Sequence, residues 1–111
     1  MNKFGKIWGF TSNIFINDAF SIDRIEINAE QSCSKHYHQY KYNMFFVEKG
    51  SILVHRWENN IQITSKLDVH ESITIEPNIY HQFYALLDSV VYEIYYNKLD
   101  HNDIVRDNNV K

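Results

Sequence analysis

An all-β sandwich or barrel is the fold that this 111-residue sequence predicts, on three observations. Isoleucine, tyrosine, phenylalanine and valine recur at strand spacing, and these are the residues that fit a pleated, half-buried surface. No window sustains the 3.6-residue apolar period of an amphipathic helix. Turn signals punctuate the chain at a spacing of roughly 8–12 residues. The length suits one domain over 1–111 with a single core. Its margins are an N-terminal arm or strand over 1–20 and a polar C-terminal arm over 100–111.

Taken in order, Ser21 to Asn28 alternates apolar and polar residues cleanly and reads as a half-buried strand. Asn43 to Val47 is a second strand; Lys49-Gly50 is a turn, and Ser51 to Trp57 returns as its hairpin partner. Glu58-Asn59-Asn60 makes the next turn and leads into Ile61 to Thr64. Ser72 to Ile75 is short and stops at Pro77; His81 to Leu86, a turn at Leu87-Asp88-Ser89, and Val90 to Tyr96 complete the strands. The chain has only 3 glycines, so asparagine and aspartate must supply many tight turns, because they tolerate the left-handed region best among the rest. Asp100 to Lys111 is polar and reads as a surface turn or arm with a frayed end.

Composition narrows the function classes. A net charge of −3 and the lack of any Lys/Arg run leave no electrostatic footprint for nucleic acid or an acidic membrane surface. No stretch approaches the roughly 18 apolar residues of a membrane span. Gly9, Thr11, Ser12 and Asn13 break the apolar run that a signal peptide needs, so a cytoplasmic location is expected. The lone Cys33 cannot close an internal disulfide, fits a reducing compartment, and reads as a small buried or rim residue. There is no G-x-S-x-G, P-loop or G-x-G-x-x-G motif.

The chemistry concentrates in His36-Tyr37-His38 and in His81, which follows the turn at Pro77. Histidines at i and i+2 on a strand share a face, and a third from a distant strand closes a metal site with them. Such a set suits a divalent transition metal (Zn, Fe, Ni, Mn or Cu) better than Mg or Ca. The other histidines read as surface residues. His55 alternates away from the inner positions Ile52 and Val54, while His70 and His101 fall in turns.

These residues resemble the cupin superfamily. His36-x-His38, Asn43 and Gly50 follow its first motif, H-x-H-x4-E-x6-G, with asparagine for glutamate. Glu71 to Pro77 and His81 follow the second, with Glu71 in a glycine position and one residue fewer between proline and histidine. Within that superfamily the chain is most similar to the C-terminal domain of type II mannose-6-phosphate isomerases. The likeness runs through Trp8-Gly9, Arg24-Ile25, Lys35 to Gly50 and Leu67 to Phe83, and ends at Asp103-Ile104-Val105-Arg106, against that family's D-D-I-V-R. It implies a double-stranded β-helix, a small barrel of two antiparallel sheets with a metal in one mouth. The family's usual residues at His36, Asn43, Tyr40 and Lys41 are Gln, Glu, His and Arg, so this chain gains one histidine and loses the carboxylate.

Three neutral imidazoles leave a divalent ion its full charge, which favours an anionic ligand such as a sugar hydroxyl becoming alkoxide, a carboxylate or a thiolate. Asn43 either ligates weakly through its carbonyl oxygen or orients a bound water. Glu93 lies where the resembling family has an I-E-V-Q strand, and is either a general base inside the barrel or a solvated outward residue. Tyr40, beside the histidines, is a second catalytic candidate; Lys41, Tyr95 and Arg106 are candidate substrate contacts. Arg106 alternatively closes a salt bridge for the C-terminal arm. The expected activity is binding or conversion of a small oxygen-rich molecule, a sugar or sugar phosphate. The rivals are a three-histidine iron dioxygenase and a non-catalytic binding module. A tyrosine-rich sheet face suits a homodimer.

Overall fold

The computed structural model describes residues 3–100 and 102–107. His101, expected at the surface, lies outside the described residues, as do positions 108–111 of the C-terminal arm. Eleven strands form: β1 (Lys3–Lys6), β2 (Gly9–Ile16), β3 (Phe20–Ile27), β4 (His36–Tyr37), β5 (Lys41–Lys49), β6 (Ile52–Glu58), β7 (Ile61–Leu67), β8 (Ser72–Ile75), β9 (Tyr80–Ala85), β10 (Ser89–Asn97) and β11 (Val105–Arg106). They build two antiparallel sheets ordered β1-β2-β3-β10-β5-β8 and β11-β4-β9-β6-β7. The described residues contain no helix, and so none long and apolar enough to cross a membrane.

The period-2 pattern works as expected. On β3, Ile25 and Ile27 are buried between less buried neighbours, and on β10 the buried positions are Ser89, Val91 and Glu93. The core closes on Ile25, Ile27, Phe45, Val47, Ile52, Val54, Leu67, Ile75, Phe83, Ala85 and Val91. These side chains interdigitate from both sheets, the arrangement by which two twisted sheets exclude water between them.

Turn chemistry explains two connections. Asn59 and Asn60 both take positive φ (52° and 64°) between β6 and β7, the backbone of a two-residue hairpin turn that matches strand twist. Gly50, at φ 89°, is irreplaceable for another reason: a Cβ there would lie 2.2 Å from Ser89 Oγ and 2.6 Å from the Asp88 carbonyl oxygen.

Gly50 also marks where the sequence-based expectation fails. The stretch after it was expected to return as the hairpin partner of Asn43–Val47. Instead β5 pairs with β10 and β8, while β6 pairs with β7 and β9 in the opposite sheet. The Lys49-Gly50 turn therefore carries the chain across the barrel. Two apolar faces that must both reach one core are better served by facing each other than by lying side by side.

The C-terminal segment is more engaged than its polarity implied. Val105 and Arg106 pair with Tyr37 and His36 as a strand, and Lys35 Nζ lies 3.5 Å from Asp107.

Candidate metal centre

Three elements bring the histidines together. His36 stands directly opposite His81 in the β4–β9 register, and His38 follows β4 by one residue. The turn at Pro77 is fastened to the first motif, because the amide of Asn78, at φ 67°, donates to the His38 carbonyl at 2.7 Å. The ring centroids then lie 4.5 Å (His36–His81), 5.0 Å (His36–His38) and 5.3 Å (His38–His81) apart. One nitrogen of each ring lies within 4.8 Å of the others.

The orientation of the rings is set by the backbone. Nδ1 of His36 sits 2.8 Å from the Ser34 carbonyl oxygen, that of His38 2.7 Å from Asp103 O, and that of His81 2.9 Å from Ile79 O. A carbonyl only accepts, so each Nδ1 carries the proton and each Nε2 keeps its lone pair. Nε2 of His38 and of His81 is buried with no hydrogen-bond partner among the described residues. Two orphaned imidazole acceptors facing one point are costly in a folded protein unless something electrophilic satisfies them. A divalent transition metal fits this donor set, and backbone carbonyls on the remote nitrogens are the usual support for histidine ligands.

The environment keeps the rings neutral, as ligands must be. Burial pulls His36 down to about 4, assisted by His38. His38 is likewise drawn down to about 4 by burial against the opposing pull of the Asp103 carbonyl, and His81 to about 3 by burial and then by His36.

Beside His36 and His38 opens a cavity of about 700 Å³, which Lys41, Glu93, Tyr95 and Arg106 also line. Glu93 points inward and is 8% exposed, which resolves its two expected orientations. Its Oε2 accepts from the Tyr95 hydroxyl at 2.6 Å and from Asn43 Nδ2 at 3.1 Å; Oε1 has no hydrogen bond among the described residues. Burial raises the Glu93 pKa, and the bonds from Tyr95 and Asn43 counteract only part of that. Asn43, in the motif's glutamate position, is thus committed through its amide nitrogen to a carboxyl on the next strand, while its Oδ1 is buried without a partner among the described residues.

Lys41 stacks its Nζ 4.1 Å from the centre of the Tyr95 ring, and burial lowers its pKa. Arg106 lines the mouth and forms no ion pair among the described residues; the arm's salt bridge is Lys35–Asp107 instead. Tyr40 does not join the set. Its ring lies outside the cavity lining, 42% exposed, with Lys98 Nζ 4.2 Å from its centre. It follows the last inward histidine at a bend, where strand parity no longer directs side chains inward. Of the two catalytic candidates, Glu93 lines the cavity and Tyr40 does not.

Asp23, Trp8 and Cys33 are among the cavity residues that the sequence did not mark as site residues. Asp23 was within reach, since it shares parity with Ile25 and Ile27 on β3 and pairs with Glu93 across the ladder. Trp8 sits in a turn, where periodicity carries no signal, and packs edge-on to Phe83 at 5.1 Å. The Cys33 sulfur accepts the Phe83 amide at 3.3 Å, and burial pushes its thiol up to about 12.

Solved structures superpose closely on this chain. KdgF from Halomonas sp. matches with a TM-score of 0.79 at 14% identity, over 90% of this chain and 91% of its own. The fold is a cupin. The capsular polysaccharide assembling protein CapF from Staphylococcus aureus matches with a TM-score of 0.81 at 18% identity, and oxalate decarboxylase from Bacillus subtilis with 0.82 at 10%. Each aligns with 95% of this chain, which spans only 33% of CapF and 29% of the decarboxylase. No protein-family model and no curated protein matches the sequence. The likeness therefore lies in the cupin barrel, and the three-histidine cluster is the feature on which a metal-binding reading of this cupin rests.

Proposed function

We propose that this cupin binds a divalent transition metal (Zn, Fe, Ni, Mn or Cu) through His36, His38 and His81, and takes a small oxygen-rich anion into the adjoining cavity. A sugar phosphate handled in the manner of mannose-6-phosphate isomerases is the preferred ligand. The observation that carries the reading is the convergence of three Nδ1-anchored imidazoles, two of them with orphaned Nε2 atoms.

When bound, the ion supplies Lewis acidity undiminished by ligand charge, since all three imidazoles are neutral. The chain's own residues supply the rest. Lys41 and Arg106, the latter without an ion pair among the described residues, favour an anionic group in the cavity, with Arg106 suited to two-pronged contact with phosphate or carboxylate. Glu93, held through Oε2 by Tyr95 and Asn43, presents Oε1 to accept or return a proton. Tyr95 braces Glu93 and offers a ring face beside Lys41. Asn43 Oδ1 is a weak further oxygen donor. Phe45 and Phe83 give the cavity an apolar stretch of wall. Among the structural neighbours, one assembles capsular polysaccharide and one is an oxalate decarboxylase, which supports an oxygen-rich ligand.

Elemental analysis of protein from metal-replete cells tests the metal. About one equivalent is expected in the wild type and none in His38→Ala; a metal-free wild type, unmoved in stability by chelator, would refute the reading. Turnover across a sugar-phosphate panel tests the activity. The carboxylate-free ligand set also suits a three-histidine iron dioxygenase, which oxygen uptake with iron and a thiol or diketone would reveal. Ligand retained unchanged with no turnover would favour a non-catalytic binding module. Phe10, Ile14, Phe15 and Ile16 remain exposed on β2, an apolar surface suited to a homodimer, for which light scattering is the measurement.

A further inference from the structure

Asp103 lies 62 to 65 residues from the segment it touches, in a stretch whose polarity marks it as solvent-exposed, yet it is 8% exposed. Both carboxylate oxygens and the main-chain carbonyl are directed at the chain around the second histidine, while its amide donates to the Asp100 carbonyl at 2.9 Å. Oδ1 accepts the Gln39 amide at 2.6 Å, and Oδ2 accepts those of Tyr40 at 2.9 Å and Lys41 at 3.3 Å. Its main-chain carbonyl accepts from His38 Nδ1 at 2.7 Å. Burial alone would push this carboxyl up, but the amides of Tyr40, Gln39 and Lys41 outweigh that, so its pKa is lowered and it stays ionised at neutral pH. A carboxylate collecting three successive backbone amides fixes the path of the loop that leads out of His38 and into the cavity wall at Lys41. The same residue then sets the ring of His38 through its own carbonyl. Beyond it, Val105 and Arg106 pair with Tyr37 and His36, and the Asp107 amide bonds to the Lys35 carbonyl at 3.0 Å.

We infer that Asp103 is a positioning residue of the metal centre: it clasps the Gln39–Lys41 loop and the His38 ring, so that metal affinity and docking of the C-terminal segment are thermodynamically linked. The inference rests on the metal reading above. Linkage is reciprocal. If the clasp favours metal by aligning His38, the metal must favour the clasp by the same factor.

Two measurements on the full chain test it. Zinc affinity by chelator competition, and the visible spectrum after cobalt(II) loading, are compared between wild type and Asp103→Asn. The amide keeps the size but sets an NH₂ group against backbone N–H donors. Loss of a support of this kind lowers metal affinity by roughly 10–100-fold, and the intense tetrahedral cobalt bands should weaken or shift. Ser51→Ala, which removes the 2.8 Å bond to Asp68 at the other end of β6 from Arg56 and its partner His81, is the control for mere destabilisation. It should lower the melting temperature and leave the affinity and spectrum alone.

The second measurement needs no variant. Hydrogen exchange at the amides of residues 39–41 in the wild type should slow by at least about tenfold with zinc over chelator, if the linkage is of the expected size. Wild-type affinity and spectrum in Asp103→Asn, or exchange at these amides indifferent to zinc, would overturn the clasp while leaving the metal site standing. A wild type that binds neither zinc nor cobalt overturns both.

Discussion

The two halves of the barrel interior are built on the same strands yet obey opposite rules. On β3 the inner face runs Asp23, Ile25, Ile27; on β5 it runs Asn43, Phe45, Val47; on β9 it runs His81, Phe83, Ala85; on β10 it runs Tyr95, Glu93, Val91. One half is closed by Ile25, Val47, Val54, Ala85 and Val91, all at 0% exposure, and among the described residues it leaves no buried side-chain polar atom without a partner. The other half buries three imidazoles, an amide and a carboxyl, and leaves Nε2 of His38 and His81 and Oδ1 of Asn43 unpaired among the described residues. Phe45 and Phe83, with ring centroids 6.2 Å apart, form the layer between them. The apolar half holds the barrel shut, and its stability carries the cost of the orphaned atoms opposite.

The contrast is broken most sharply at its boundary. Phe45→Ala should lose about 3–5 kcal/mol of folding stability in urea titrations, since it removes a side chain 1% exposed that packs against both Phe83 and His81. A loss below about 1 kcal/mol would mean that the layer is not structural. Metal should act in the other half and in the opposite direction. Zinc at a hundredfold excess over its Kd should stabilise the wild type by about 2.7 kcal/mol and raise the melting temperature by several degrees. That gain should vanish in His38→Ala.

Acid sharpens the contrast without mutation. The folded-state pKa values of His36, His38 and His81 lie at about 4, 4 and 3, below the ordinary 6.5 of an unfolded histidine. Between these limits the unfolded chain binds more protons, so stability of the metal-free protein is full above pH 6.5 and declines as pH falls through 4 towards 3. Unfolding midpoints in chelator should show this slope, and His81→Ala should flatten it. A profile level from pH 6.5 to 4 would contradict the burial of the rings. At alkaline pH the thiol of Cys33 gives a smaller effect of opposite sign. Raised to about 12, it should resist alkylation at pH 9 until the chain unfolds. The smallest change belongs to neither half. Asn60→Gly, at φ 64° in the β6–β7 turn, should stabilise by about 0.5 kcal/mol, read as a shift in urea midpoint.

What could be read from the sequence was local in origin. Strand parity put His36 and His38 on one face and Ile25 and Ile27 on another, and the Asn59-Asn60 turn announced itself by composition. Each of these depends on residues a few positions apart. What could not be read depends on where the chain goes next. Gly50 looks like a hairpin turn until the sheet assignment of β5 and β6 is known, because crossing the barrel and folding back begin with the same glycine. Asp103 looks solvated because its partners, Gln39 to Lys41, lie more than sixty residues away. Tyr40 shows the converse, as adjacency to a histidine in sequence does not carry a side chain into the cavity lining once the strand has ended. The contents of the site followed from parity, whereas its support came from pairing between distant segments.

The carbonyls of Ser34, Ile79 and Asp103 that hold the three imidazoles have a further consequence. A main-chain oxygen is present whatever residue bears it, so point substitution cannot delete these supports as it can a supporting carboxylate. The side chains at 34 and 79 are free to drift while the aim of the rings stays the same. Ring orientation here is inherited from the course of the backbone. Its vulnerable points are therefore changes of path, such as insertions within 34–38 or 77–81, and a one-residue insertion in either window should disable the centre more surely than most single replacements beside it.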